Sequence, residues 1–149
     1  MRPGQLIYSP VMRQRFDVRS VIVHLSDAAE DEVARFLQVT FPFQQGPPWI
    51  CDISGDPCLW IDFYRDRLTE FEPEEIAELS NALGKGPRTS VVAEVSGRHA
   101  GDEQVRYFVT TLLSKFSGLA CDDFTAHYWT GAEVSSGFNG QQFFDYTRS

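Results

Sequence analysis

Glu94, His99, Asp123 and His127 are the residues of this chain whose types could do chemistry together, since carboxylates and imidazoles are the usual acids, bases and metal ligands. Glu94 lies in a run of small apolar residues, Ser90-Val-Val-Ala-Glu-Val, where a carboxylate on a sheet face is either paired or poised for function. His99 follows Ser96-Gly97-Arg98 in a strand-to-helix loop, a place where sheets present binding groups. Around His127 the segment from Asp122 to Thr130 is the densest polar and aromatic stretch of the chain. Strand alternation would send Asp122 and Asp123 to opposite faces, so the plainer reading there is an acidic turn followed by an amphipathic strand. The remaining histidine, His24, sits inside an apolar strand and is expected to be bonded to a neighbour.

Metal chemistry has less support. The histidine spacing matches no zinc signature, and Cys51, Cys58 and Cys121 form no C-x-x-C pair. Three sparse cysteines are poor disulfide material and fit reduced thiols in a cytoplasmic protein. A Gly-rich phosphate loop, a G-x-S-x-G elbow, a kinase motif set and H-E-x-x-H are all missing. The expectation is no metal, no cofactor and no nameable reaction; an enzyme or small-molecule site built from Glu94, His99, Asp123 and His127 remains an alternative.

The elements that would position these residues follow from periodicity. Ser20 to Leu25 is β-branched and apolar, a buried strand, with Ser26 or Asp27 expected to cap the helix after it. Ala29, Val33, Phe36 and Leu37 recur at helical spacing, and Pro42 ends that helix near Phe41. Trp49 to Ser54 and Cys58 to Tyr64 read as antiparallel strands joined by a three-residue loop, Gly55-Asp56-Pro57. Glu72-Pro73-Glu74-Glu75 opens a second helix, its proline near the first turn and its acids at the positive end of the dipole. Thr89 to Ser96 is a strand, with Val91, Ala93 and Val95 on one face and Val92 and Glu94 on the other. Val105, Phe108, Val109, Leu112, Leu113 and Phe116 mark a third helix, expected to stop at Gly118. Leu119 to Cys121 and Phe124 to Trp129 supply a last strand. The order β-α-β-β-α-β-α-β predicts an α+β fold, a mixed and mostly antiparallel sheet with about three helices mainly on one face. Residues 1 to 19 read as a loose arm or edge strand, 20 to 130 as one domain and 131 to 149 as a tail.

Charge narrows the function classes. The chain of 149 residues carries −8, and its first twenty residues sum to +3, leaving the rest at −11. Such a body repels phosphates and is no candidate nucleic-acid reader. Without a run of about 18 apolar residues or a secretion signal, no membrane association is expected. A cationic protein would be steered toward it. Trp49, Trp60, Phe63, Tyr64, Tyr128 and Trp129 are more rings than a modest core needs, and aromatics ringed by acids make hot spots for a basic target; the competing reading packs them around the hairpin.

An acidic α+β domain, rich in aromatics and empty of catalytic signatures, resembles the immunity proteins that bacteria make against their own polymorphic toxins. The resemblance spans the chain in general character and carries over no family residue. It implies occlusion: Asp52, Asp56, Asp62, Asp66, Asp122 and Asp123, with Trp60, Tyr64, Tyr128 and Trp129, would cover a basic site made for nucleic acid or nucleotide. An oligomeric scaffold is the third expectation.

Overall fold

The computed structural model describes residues 19–66 and 70–145. The N-terminal arm expected before Arg19 and the end of the expected tail, with Tyr146, lie outside the described residues.

Five strands form one open sheet in the order β2-β3-β4-β1-β5, and every pairing is antiparallel. They are β1 (Arg19–Leu25), β2 (Trp49–Ile53), β3 (Asp56–Phe63), β4 (Thr89–Val95) and β5 (Gly118–Asp122). The helices are α1 (Glu30–Thr40), α2 (Pro73–Leu83), α3 (Asp102–Lys115) and α4 (Gly131–Ser136). This is the α+β order expected, with a fourth, short helix beyond it.

Alternation along the strands divides the sheet into two unlike faces. Val21, Val23 and Leu25 of β1, with Val91, Ala93 and Val95 of β4, turn to the inner face. There they meet Val33 and Leu37 of α1, Val105, Phe108, Val109 and Leu112 of α3 and Val134 of α4 in one buried cluster. Burying such apolar area is the main stabilising contribution. The outer face carries a much smaller cluster, Ile22, Tyr64 and Val92, on which Phe71 packs just before α2.

Several local expectations change. The hairpin turn is Ser54-Gly55 alone, because Ile53 pairs with Asp56 and both turn residues have positive φ, 50° and 88°. A two-residue turn of that hand matches the right-handed twist of its strands, and Asp52 Oδ2 accepts the Gly55 N–H at 2.8 Å. Asp56 and Pro57 therefore belong to β3. The register slips between Cys51 and Asp52, which pair with Leu59 and Pro57, and the extra residue, Cys58, joins Leu59 in the core. At α1 the cap is Ala29, whose N–H is held by Glu32 at 3.1 Å. Ser26 instead donates to the Ser117 carbonyl, and Asp27 pairs with Lys85. α3 ends at Lys115, and Gly118 opens β5, where a Cβ would collide with the His24 carbonyl oxygen. After β5 the chain turns, and Trp129 comes back to pair with Ala120 through a single bridge rather than a continuous strand. Beyond it Phe143 and Phe144 are wholly buried, so the 131–145 stretch closes the core.

Candidate functional site

Among the described residues, the outer face of β3 and β4 is uncovered where Phe71 does not reach. A groove of about 660 Å³ lies there, within the size range of ligand pockets. Its floor is set by register: Trp60 stands opposite Glu94 and Asp62 opposite Val92. Side chains two residues apart share a face, so Trp60, Asp62 and Glu94 present side chains on that face, Trp60 directly across from Glu94 and two residues from Asp62, with roughly 5 to 7 Å between neighbouring Cβ atoms. Pro48 forms one wall and the Ser96–Gly97–Arg98 turn the other.

Both walls are built by specific hydrogen bonds. Gln38 of α1 holds the loop before β2: its side-chain oxygen accepts from Gly46 N and Trp49 Nε1, both at 3.0 Å, and its amide donates to the Gln44 carbonyl. Gln44 in turn donates to the Pro48 carbonyl at 3.0 Å. On the opposite wall Ser96 N donates to the Cys58 carbonyl, and the Ser96 hydroxyl accepts the Arg98 N–H. Asp56 then binds the whole turn to the hairpin, meeting Arg98 at 3.0 Å and His99 Nε2 at 2.6 Å. Arg19 holds the same loop from the other side through the His99 and Ala100 carbonyls.

Trp60 is 39% exposed, whereas Trp49 and Trp129 are 2% and 0% exposed. Each buried indole has its own acceptor, Gln38 for Trp49 and Thr125 Oγ1 for Trp129. The sequence treated all three as candidates for a binding surface; the strand pairing that separates Trp60 from Trp49, and the bridge to Ala120 that brings Trp129 inside, are long-range contacts.

The other expected site residues scatter. Asp52 is spent on the hairpin turn but stays exposed, and Asp66 is exposed beyond β3. Tyr64 is interior, its hydroxyl donating to Glu70 at 2.9 Å. Asp122 is a buried structural acceptor: Phe124 N, Thr125 N and Thr125 Oγ1 donate to Oδ1, and Phe144 N donates to Oδ2 at 2.8 Å. Asp123 and Tyr128 are half-buried in the loop that follows β5. The four groups of the alternative pocket take separate surroundings. Glu94 lines the groove; His99 faces Asp56; His127 lies 2.8 Å from Glu133 and stacks on Phe138 at 3.8 Å between centroids. His24 contacts Ser90 Oγ at 2.7 Å, the bonded strand histidine that was expected.

Burial favours the protonated form of Cys51 and Cys58. Burial, then the neighbouring Cys58 and Asp52, pushes Cys51 up to about 11, and burial also raises Cys58. Thiolate chemistry of these two residues at neutral pH is therefore disfavoured. Among the described residues no cluster of three potential metal ligands occurs, and no helix is long and apolar enough to cross a membrane.

No family model, curated protein or solved structure matches the chain. The functional reading accordingly rests on the groove and on charge.

Proposed function

We propose that this protein is a stoichiometric binder of a basic protein, and that it receives its partner on the outer face of β3 and β4. The carrying observation is the exposed indole of Trp60 on the same sheet face as Asp62 and Glu94 in a chain of net charge −8. A half-exposed tryptophan beside carboxylates is the composition of a binding hot spot for a cationic surface. The acidic body supports the same reading, because it draws a basic partner in and keeps nucleic acid out. In keeping with the resemblance to immunity proteins, the partner would be a toxin whose basic site is covered by this face. Glu94, first placed in a small-molecule pocket, serves here as a partner contact. Asp56 and Arg98 shape the rim.

A photo-crosslinking residue at position 60, used in the source cell, should capture one protein that forms a one-to-one complex when both components are purified. Trp60→Ala should then weaken that complex by about tenfold or more. If no purified protein binds at micromolar concentration, or if binding ignores both Trp60→Ala and added salt, the reading is wrong.

A further inference from the structure

We infer that the outward ridge of α3, together with Val39 near the end of α1, is an interface between two copies of this chain, with α3 packed against α3 in opposite directions about a two-fold axis. This surface lies across the sheet from the groove and serves a role separate from the binding proposed above. α1 and α3 cover the inner face, through Val33, Leu37, Phe108 and Leu112, whereas the groove lies on the outer one.

α3 buries Val105, Phe108, Val109 and Leu112 and leaves Glu103, Tyr107 and Lys115 exposed, with Thr111 half-buried between the last two. Glu103, Tyr107, Thr111 and Lys115 follow one another four residues apart, so they form a single ridge along the helix. An acid stands at one end of it and a base at the other, equally far from the centre. Two such ridges running in opposite directions set Glu103 of each copy against Lys115 of the other and bring the two Tyr107–Thr111 centres together, the self-complementary contact that a two-fold axis requires. Ridges of this spacing pack at a crossing angle of about −50°, the commonest between helices. Parallel packing would instead set acid against acid.

The groups concerned are available. Glu103 and Lys115 have no hydrogen-bond or ion-pair partner among the described residues, in contrast to Asp102 and Arg106 of the same helix, which meet at 3.1 Å. Val39 and Tyr107 are the two most exposed large apolar side chains among the described residues, at 81% and 53%. Val39 lies beside Lys115 where α1 borders α3, so a second copy that reaches Lys115 also covers it. The net charge of −8 sets two copies against each other. Salt, however, screens charges more than about 8 Å apart at physiological ionic strength, and the Glu103–Lys115 pairs would meet at contact. A ridge of this size makes a small interface, so the dimer is reversible.

Sedimentation equilibrium of the full chain from about 5 to 500 µM tests it, with an average mass expected to climb from one chain toward two. Tyr107→Ala should weaken self-association about tenfold. Glu103→Lys and Lys115→Glu should each do the same, because the two-fold axis repeats every broken pair. Mixing those two single variants should restore association as a heterodimer, and the double variant should associate by itself. Circular dichroism checks that each variant is folded; where a charge reversal at a helix end is not, Val39→Asp takes its place and must also weaken the dimer. Trp60→Ala should leave the dimer unchanged. A single-chain mass at every concentration overturns the inference, as does a dimer indifferent to Tyr107→Ala and to both reversals. So does failure of the two folded single variants to restore each other, or a dimer lost on Trp60→Ala, which would move the contact to the groove.

Discussion

At the scale of single residues, the carboxylates divide by burial into those that hold the fold and those that face outward. Asp122 accepts four hydrogen bonds from Phe124, Thr125 and Phe144 and is almost wholly buried. Asp122→Ala should therefore cost about 3 kcal/mol or more in denaturant unfolding, because three backbone N–H groups lose their partner. Asp62→Asn on the groove should leave the midpoint nearly unchanged. Glu133 gives a pH signature. Burial opposes its ionisation, but hydrogen bonds from the Thr130 N–H and hydroxyl and from His127 outweigh that and lower its pKa. A depressed carboxylate contributes stability above its unfolded value, near 4.3, that is lost as pH falls through the folded value. The difference in Tm between the native chain and Glu133→Gln should thus be present at neutral pH and vanish in acid below the usual carboxylate range. For the thiols the expectation is kinetic: alkylation of Cys51 should be slow at neutral pH and accelerate as pH approaches about 11. Rapid labelling of the folded protein at pH 7 would contradict its burial.

Two glycines separate steric from conformational demands at the scale of elements. Gly118 opens β5 against β1, where an added Cβ strikes the His24 carbonyl; Gly55 has open space around it but a φ of 88°. Gly118→Ala must push two paired strands apart and should cost about 1–3 kcal/mol. Gly55→Ala should cost about 1–2 kcal/mol through backbone strain alone, with the register of β2 and β3 preserved. Equilibrium denaturation gives both costs, and amide exchange along β5 distinguishes them: only the Gly118 variant should open the β1–β5 ladder. Helices of this chain were readable because their apolar spacing was regular, as for Val105, Phe108, Val109 and Leu112 in α3. Their ends were less so: Ser26 looked like a cap, yet its hydroxyl is committed to Ser117, a partner 91 residues away.

For the whole molecule, the last described segment decides integrity. Phe143 and Phe144 sit in the same cluster as the strands and α3, and Trp129 packs against Phe143 at 5.3 Å between ring centroids. Truncation after Gly137 removes both phenylalanines, each costing about 3–5 kcal/mol when deleted from a core, which approaches the total stability of an ordinary domain. The truncated chain should lose its cooperative melt and its near-ultraviolet tryptophan signal. A native-like melt would mean that this segment is dispensable to the core.

Local pattern alone determined the strand and helix order through β5, the two-faced character of Thr89 to Val95, the acidity and the lack of phosphate-loop and zinc-ligand spacing, because each of these depends on residue type and near-neighbour spacing. Which tryptophan faces outward did not depend on those. Trp49, Trp60 and Trp129 are chemically identical; the pairing of β3 with β2 and β4 separates the outward Trp60 from the buried Trp49, and the return of the chain to Ala120 and Phe143 buries Trp129. Likewise Asp122, read as part of an acidic turn, and Asp62, read in a strand, carry the same carboxylate, and long-range contacts made Asp122 a buried acceptor and left Asp62 beside the groove. Burial is a property of what the rest of the chain brings alongside, so the site became visible only when the sheet was assembled.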